Sequence, residues 1–518
     1  MAAHADHPVL VVGAGPTGLT AALELARLGV PVRIVDRATA PSTTSRALGV
    51  QARTLELLRP RGISDAMLPL GNRVRATALH AGGRRIAAIE LHRMHSEYDF
   101  VLMLAQSQTE RLLAERATAL GVDVERGVAF ESLEQDGDGV TVVLRHVDGR
   151  AETVAASYVI AADGSHSPVR KHLGLGFSGR AIDQDYVLGD VCLDADIAND
   201  QLSIFLARRG FLAVFPMGGR RFRFMATDPD HVTGDAAEPS LGDIQALYDR
   251  TVHVTAKCTA LQWSSRFRIN SRHMDTLRAG RVFFGGDAAH VHSPAGGQGM
   301  NAGIQDMLNL CWKLAMVRRG LARPELLDTY ESDRLPVIRD LVAMTERATT
   351  VFNSTHPLAH AALVALAPRV LARDAVQRKA APRLGQLSAS YRGQRLAEGG
   401  GRLGSLRAGD RVPDSTLPEG RLYDLLAPAA LTVVHSGIDG IAAAVAPWAG
   451  AVDVRQASLP DEVAPAPAWL LMRPDGYLAA AGTAGDLDRL RAWLARWCRR
   501  YDDATQRHSV SVRLASPA

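Results

Sequence analysis

The first apolar run, Val9-Leu10-Val11-Val12, is too short for a helix and meets Gly13 at once, so it predicts a buried strand over 8–12. Leu19, Ala22, Leu23, Leu25, Ala26 and Leu28 then fall mostly on one face of a helix over 17–28, which Gly29 stops. Val32-Arg33-Ile34-Val35-Asp36 predicts the next strand, and strand–helix–strand is the opening of a doubly wound α/β sheet. A helix begins around Gln108-Thr109-Glu110-Arg111-Leu112-Leu113 and ends near Gly121, with strands at 140–145 and 157–162.

From about 180 to 265 the pattern changes to alternation. Leu202-Ser203-Ile204-Phe205-Leu206 and Arg221-Phe222-Arg223-Phe224-Met225 predict an antiparallel sheet inserted between two halves of a nucleotide-binding fold. Helix returns from 299 to about 348, with interruptions expected near Pro324 and Pro336. The stretch 356–395 reads as linker helices, and Gly399-Gly400-Gly401 is the clearest boundary in the chain. Beyond it come strand 431–435, helix 438–447, strand 452–455, a strand pair turning at Pro474-Asp475-Gly476, and helix 485–499. The expected organisation is a nucleotide-binding domain over 1–180 with 266–355, and a β-sheet domain over 181–265 with part of 70–105. Linker helices over 356–400 and a C-terminal domain over 401–518 complete it.

Composition narrows the class. A chain of 518 residues exceeds what one hydrophobic core usually organises, and 47% hydrophobic with 22% charged residues is ordinary for a soluble enzyme. The net charge is only +4 and the arginines are dispersed, with no basic block interleaved with aromatics, which argues against a nucleic-acid partner. Cys192, Cys258, Cys311 and Cys498 lie far apart, arguing against a disulfide framework or zinc site and for a cytoplasmic location. His4, Asp6 and His7 are unlike a signal peptide, and no apolar run reaches the ~18 residues that span a bilayer, so no membrane partner is expected. Monomer and homodimer both remain open.

Two motifs carry the chemistry. Gly13, Gly15 and Gly18 have dinucleotide spacing: one for a tight turn, one for close approach of a pyrophosphate, one for helix–strand packing. The following helix start offers free N–H groups to that pyrophosphate. Asp36, followed by Arg37, ends the second strand, placed to accept hydrogen bonds from an adenosine ribose; a carboxylate there argues against NADP in this pocket. FAD and NAD both satisfy this first motif.

The second motif, Gly285-Gly286-Asp287-Ala288-Ala289-His290 through Pro294 to Gly296-Gly297-Gln298-Gly299-Met300-Asn301, selects the flavin. Asp287 follows the apolar Val282-Phe283-Phe284, at a strand's carboxyl end, where it can hold ribityl hydroxyls. Gly296, Gly297 and Gly299 leave the backbone bare beside a flat ring. The N–H groups of Met300 and Asn301, at a helix start, can face the flavin pyrimidine carbonyl. His290 and His292 lack nearby acidic or cysteine partners in sequence, so a structural role is favoured over a metal. A third element, Tyr158 to Arg170, ends a strand in Asp163-Gly164 near the same sheet edge.

The order of these motifs resembles the single-component flavoprotein aromatic hydroxylases of the para-hydroxybenzoate hydroxylase fold. The similarity is to the branch with phenol, hydroxyphenylpropionate and aromatic-polyketide hydroxylases. Ser45-Arg46-Ala47-Leu48-Gly49, Ala52-Arg53-Thr54-Leu55-Glu56, Gln106-Ser107-x-Thr109-Glu110, the 286–314 block and Leu471-Met472-Arg473-Pro474-Asp475-Gly476-Tyr477 carry it, across essentially the whole chain. The resemblance implies that Arg46 and Gln106 contact FAD, that Asp163 serves both FAD and the approach of NADPH, that Asp287 holds the cofactor, and that Pro294 lies beside the ring face where oxygen reacts. It implies an FAD-binding fold with an inserted mixed sheet for substrate and a thioredoxin-like C-terminal domain; no cysteine occupies the redox position near Ser436-Gly437. The implied reaction consumes NADPH or NADH and dioxygen, and passes an oxygen atom from a flavin C4a-hydroperoxide to a small phenolic or polyketide-like aromatic substrate.

Phe205, Phe211, Phe215, Pro216, Arg223 and Met225 are the candidates for lining the substrate pocket. Baeyer–Villiger or epoxidising chemistry on the same scaffold is an alternative, and a non-catalytic FAD-fold binder a remote one. The six tryptophans include no Trp-x-Trp pair, which disfavours a halogenase.

Overall fold

The structure, a computed structural model, describes residues 7–43, 47–194, 197–207, 210–228, 238–294, 296–353, 356–461, 463–464 and 467–501. It divides into two compact units, one of Met1–Arg27, Pro31–Leu308 and Arg334–Ala389, the other of Leu28–Val30, Asn309–Asp333 and Ser390–Ala518.

In the first unit, Val9–Val12 is buried on both faces, as an unbroken apolar run requires. It forms the centre of a six-stranded sheet in the order Arg278–Ala279, Val282–Phe284, Tyr158–Ala161, Val9–Val12, Val32–Asp36, Val124–Arg126. All pairings in it are parallel except that of the edge strand Arg278–Ala279. The helix Pro16–Arg27 starts on a proline, whose fixed φ suits a first turn, and buries Leu19, Leu23 and Leu25. Its Glu24 is buried against Arg61 at 2.6 Å.

The alternating segments form the expected second sheet, eight-stranded and built around the long antiparallel pair Ser178–Asp194 and Lys257–His273. It also takes in Ala76–Ala81, Arg84–Glu90 and His290–Val291. One face packs Val187, Leu212, Val214, Phe222 and Phe224 against Ile244, Leu247 and Tyr248 of the helix Leu241–Thr251. Tyr186, Leu188, Phe211, Ala213 and Met225 occupy the other.

The helix expected from 299 is two: Gly299–Arg318 and, after a short turn at Pro324–Leu326, Thr329–Phe352. The interruption expected at Pro336 is not there. Leu335, Ile338, Leu341 and Val342 around the proline are all buried, and that packing outweighs one missing backbone bond. The stretch read as linkers contains the helices Pro357–Leu371 and Asp374–Leu384.

The second unit holds a four-stranded sheet in the order Val452–Gln456, Leu431–His435, Trp469–Met472, Leu478–Gly482, the first pair parallel and the others antiparallel. With the helices Ile441–Val445 and Leu487–Trp497 it has the thioredoxin-like order. The helix expected over 438–447 is cut short, and Ala446–Trp448, with Pro447 in it, closes as a tighter turn. A buried ion cluster anchors this unit: Lys313 Nζ donates to Asp333 at 2.8 Å, and Arg473 bridges Asp333 at 2.9 Å and Asp475 at 2.5 Å. Burial pulls Lys313 down to about 8 against the pull of Asp333, while Arg473 and Lys313 hold Asp333 below the usual carboxylate range despite its burial.

Candidate active site

The cleft begins at the glycine turn after Val9–Val12. Gly13 adopts φ +102°, and a Cβ on it would sit 2.3 Å from the Ala162 carbonyl oxygen. A Cβ on Gly18 would sit 1.8 Å from the Gly13 oxygen, whereas around Gly15 nothing lies within 4 Å. The two outer glycines therefore clamp the turn, and the middle one presents bare backbone to open space. Asp36 braces this turn, accepting from Ala14 N at 2.6 Å and Ala38 N at 2.7 Å. Arg37 is exposed, and Arg46 lies outside the described residues.

The two glycine motifs meet through a residue that the sequence reading passed over. Cβ atoms on Gly286 and on Gly303 would each lie 2.3 Å from Thr17 Oγ1, so Thr17 is wedged between the second motif and the helix that follows it. Behind them is a buried polar cluster. Asp306 accepts from Gly286 N at 3.0 Å and His290 Nε2 at 2.7 Å on one oxygen, and from Arg334 Nε at 2.7 Å on the other. Burial works to raise the Asp306 pKa, but Arg334 and His290 hold it low. His290 is thereby a structural residue, and its acidic partner is 16 residues downstream, where spacing alone did not reveal it.

Asp287 is exposed into the cleft, a space of about 390 Å³ that it lines with Gly15, Gln106, Pro294, Gly299 and Met300. Gln106 is fixed by accepting from Ala47 N at 3.2 Å and donating to Glu110 at 2.8 Å. Asp163 accepts from Val169 N at 3.1 Å with one oxygen; the other is buried with no partner among the described residues, and burial raises the pKa of this carboxyl. The backbone ladder of Gly299–Arg318 opens with Ala302 N donating to Gln298 O, so the N–H groups of Met300 and Asn301 precede it, at the positive end of the helix. The Asn301 side chain has a job that its sequence did not announce: it accepts from Gln51 N at 2.9 Å and donates to Gly49 O at 2.8 Å. His292, also lining the cleft, donates through Nδ1 to Ser293 O at 2.8 Å; burial lowers its pKa to about 4 and keeps it neutral.

The pocket candidates divide by strand parity. Phe215, Arg223 and Met225 line the cleft. Phe205 packs instead into the helix-covered core and stacks on His80 at 4.6 Å, and Pro216 shares the strand face of Leu212 and Val214. Side chains two apart point the same way, so these two are turned from the cleft. Phe211 packs on Phe352 and Tyr186. Arg223 is paired with Asp190 at 2.6 and 2.8 Å. It also borders a more polar cavity of about 690 Å³ with Arg221 and Gln262.

A further cavity of about 270 Å³, not foreseen from the sequence, lies across Gly296, Gly297, Gln298 and Phe215. Val74, Ile89, Met103, Ile204, Met344 and Phe352 make it strongly apolar, and none of its described lining residues carries a charge.

The glycine cradle, the orphaned Asp163 oxygen and the helix start at Gly299 fit a dinucleotide. Residues 6–345 match the FAD binding domain family, and 405–500 the aromatic-ring hydroxylase C-terminal family. The chain belongs to the FAD-dependent aromatic-ring hydroxylases. This hydroxylase is 38% identical to 6-methylpretetramide 4-monooxygenase of Streptomyces rimosus, over 95% of this chain and 94% of the relative. It is 35% identical to a rifampicin monooxygenase of Streptomyces venezuelae, over 94% and 98% of the two chains. The solved structure of the anhydrotetracycline hydroxylase OxyS from Streptomyces rimosus superimposes with a TM-score of 0.77 at 30% identity, covering 95% of this chain and 99% of that one. Among the described residues no helix is long and apolar enough to cross a membrane, and no cluster of residues is suited to a metal.

Proposed function

We propose that this hydroxylase holds FAD in the Gly15–Asp287 cleft and adds one oxygen atom to a neutral, phenolic or polyketide-like polycyclic aromatic in the apolar cavity. The observation that carries the reading is the shared wall: Gly297 and Gln298 line both the cleft and the cavity, so a ring resting on that backbone faces the substrate space. The substrates in the relatives' names, a pretetramide and rifampicin, support the same class.

In this reading Gly13, Gly15 and Gly18 seat the pyrophosphate, Asp36 the adenosine ribose, and Asp287 the ribityl hydroxyls. Gln106 and Asp163 also contact the cofactor, and Pro294 flanks the ring. FAD bound there stores the electrons of NADPH or NADH and activates dioxygen. The Met300 and Asn301 N–H groups stabilise negative charge on the reduced ring. The apolar lining excludes water and binds the aromatic by area, and its lack of charged groups favours an uncharged substrate.

The test is NADPH and NADH consumption by the purified yellow protein with phenols, naphthoquinones and anthracyclinones, followed by product mass. A gain of one oxygen with the ring system retained is expected. A lactone or ester would replace hydroxylation by Baeyer–Villiger insertion, and a protein that cannot be loaded with FAD would overturn the assignment.

A further inference from the structure

One helix of the first unit is apolar on both of its faces. Pro357–Leu371 contains no carboxylate, and His360 and Arg369 are its only polar side chains. Its inner face, Leu363, Val364 and Ala367, packs on the cluster that holds Tyr186, Phe211 and Phe352. On the other face Leu358, Ala362, Leu366 and Val370 follow one another at four-residue steps and form a single ridge. Leu358, Leu366 and Val370 are 75%, 55% and 41% exposed, and Val351, shortly before the helix, is 50% exposed. These are four of the nine large apolar side chains exposed among the described residues, all between 351 and 370. A helix that is apolar all round is ordinarily buried all round, so this outer face is built to be covered.

Charge indicates by what. Between His356 and Ala389 the chain carries five arginines and lysines against the single Asp374, a surplus equal to the +4 of all 518 residues. Asp374 is taken by Arg93 and Arg378, whereas Arg369, Arg373 and Lys379 are exposed with no acidic partner among the described residues. Arg369 stands beside the apolar ridge, three residues from Leu366. A second copy of the chain fits this face poorly. A two-fold contact would bring the arginines of both helices into one apolar seam with no carboxylate in either to pair them. A face about 22 Å long also falls short of the ~800 Å² per partner of a stable interface. We propose that Pro357–Leu371 is a docking helix for an anionic lipid bilayer. Leu358, Leu366 and Val370 turn into the acyl boundary, and Arg369, Arg373 and Lys379 meet the lipid phosphates. At 15 residues the helix is shorter than the ~18 that span a bilayer, so it lies in the surface and does not cross it. Phe352 and Leu384, on either side of the segment 353–383, both line the apolar cavity, so the docked segment leaves and rejoins the rim of that cavity. A neutral aromatic concentrated in the bilayer is thereby supplied beside the space that takes it. The docking itself needs only the helix and its charge, and goes beyond the hydroxylase reading.

The test is co-sedimentation of the full chain with vesicles of phosphatidylcholine alone and of phosphatidylcholine mixed with phosphatidylglycerol. Binding to the anionic vesicles should exceed binding to the neutral ones about tenfold or more, and should fall as salt rises from about 0.15 to about 1 M. Leu366→Glu should lower the partition coefficient about tenfold or more, and Arg369→Gln about fivefold. Both side chains are exposed, so circular dichroism and Tm of the variants should match the wild type. Leu358→Glu, on the first turn, makes the same test if Leu366→Glu does not fold. Equal binding to the two vesicle types, no binding, or binding that the glutamate variants leave unchanged overturns the proposal. So does a wild-type dimer in analytical ultracentrifugation that Leu366→Glu converts to monomer, because the face then belongs to a second copy.

Discussion

The glycine-lined cleft and the apolar cavity share a wall but are built in opposite ways. The cleft is cradled by backbone, with glycines at which a Cβ has no room or faces open space and a helix start, and side chains such as Asp287, Phe215 and Arg223 complete its lining. The cavity is made of side chains drawn from widely separated segments, among them Val74, Ile89, Met103, Ile204 and Met344. The consequence is a difference in tolerance. A backbone cradle breaks at single atoms, whereas an apolar wall can be repacked with its volume conserved.

The sharpest test of that contrast is Gly13→Ala. Its Cβ would meet the Ala162 carbonyl at 2.3 Å with φ at +102°, and neither partner is a side chain that can swing away. FAD content should fall to near zero and the melting temperature should drop by several degrees; an unchanged Tm with full flavin would break the claim that the cleft is rigid. Asp287→Ala should be milder. This side chain is exposed in the cleft, so the fold should persist by circular dichroism while FAD affinity falls about tenfold or more, as for loss of charged hydrogen bonds.

Titration should also separate the two regions, because the described lining of the cavity holds no charged group while the cleft side does. His292 is held at about 4, below its ordinary 6.5, by burial. As pH falls through that window the unfolded chain takes up a proton that the folded one refuses, so stability declines. Glu24, buried but held at about 2 by Arg61 and Arg27 against an ordinary 4.5, adds a second decline as pH falls from about 4.5 toward 2. Tm measured against pH should show both, and Glu24→Gln should remove the lower one. The smallest effects come from the pocket phenylalanines. Phe205→Leu should cost about 1 kcal/mol of stability with KM unchanged, and Phe215→Leu should shift KM for the aromatic with little change in Tm. The reverse outcome would mean that strand parity has been misjudged.

Much of the cleft was legible along the chain because backbone-built sites need particular residues at fixed local spacing. Gly13-x-Gly15-x-x-Gly18 and the block from Gly286 to Asn301 each act within one turn and its flanking elements. Thr17, Gly303 and Asp306 were missed although they sit beside or inside those motifs. Their roles depend on contacts across the fold, such as the one that puts Thr17 against Gly286. Among the pocket candidates the alternation located the sheet correctly but not which parity faced inward. Phe205 and Phe215 look equivalent in sequence, and only the helix Leu241–Thr251, packed on one face, distinguishes them.

By itself the sequence determined the strand–helix–strand opening, the place of the inserted sheet, the C-terminal strand order and the two glycine motifs that border the cleft. All of these follow from local periodicity and from glycines that the backbone requires. The tertiary structure alone decided which faces of the inserted sheet were covered and which distant apolar side chains enclose the further cavity. The physical reason is range. A turn is settled by its neighbours in sequence, but burial and hydrogen-bond satisfaction are properties of everything that packs around a side chain.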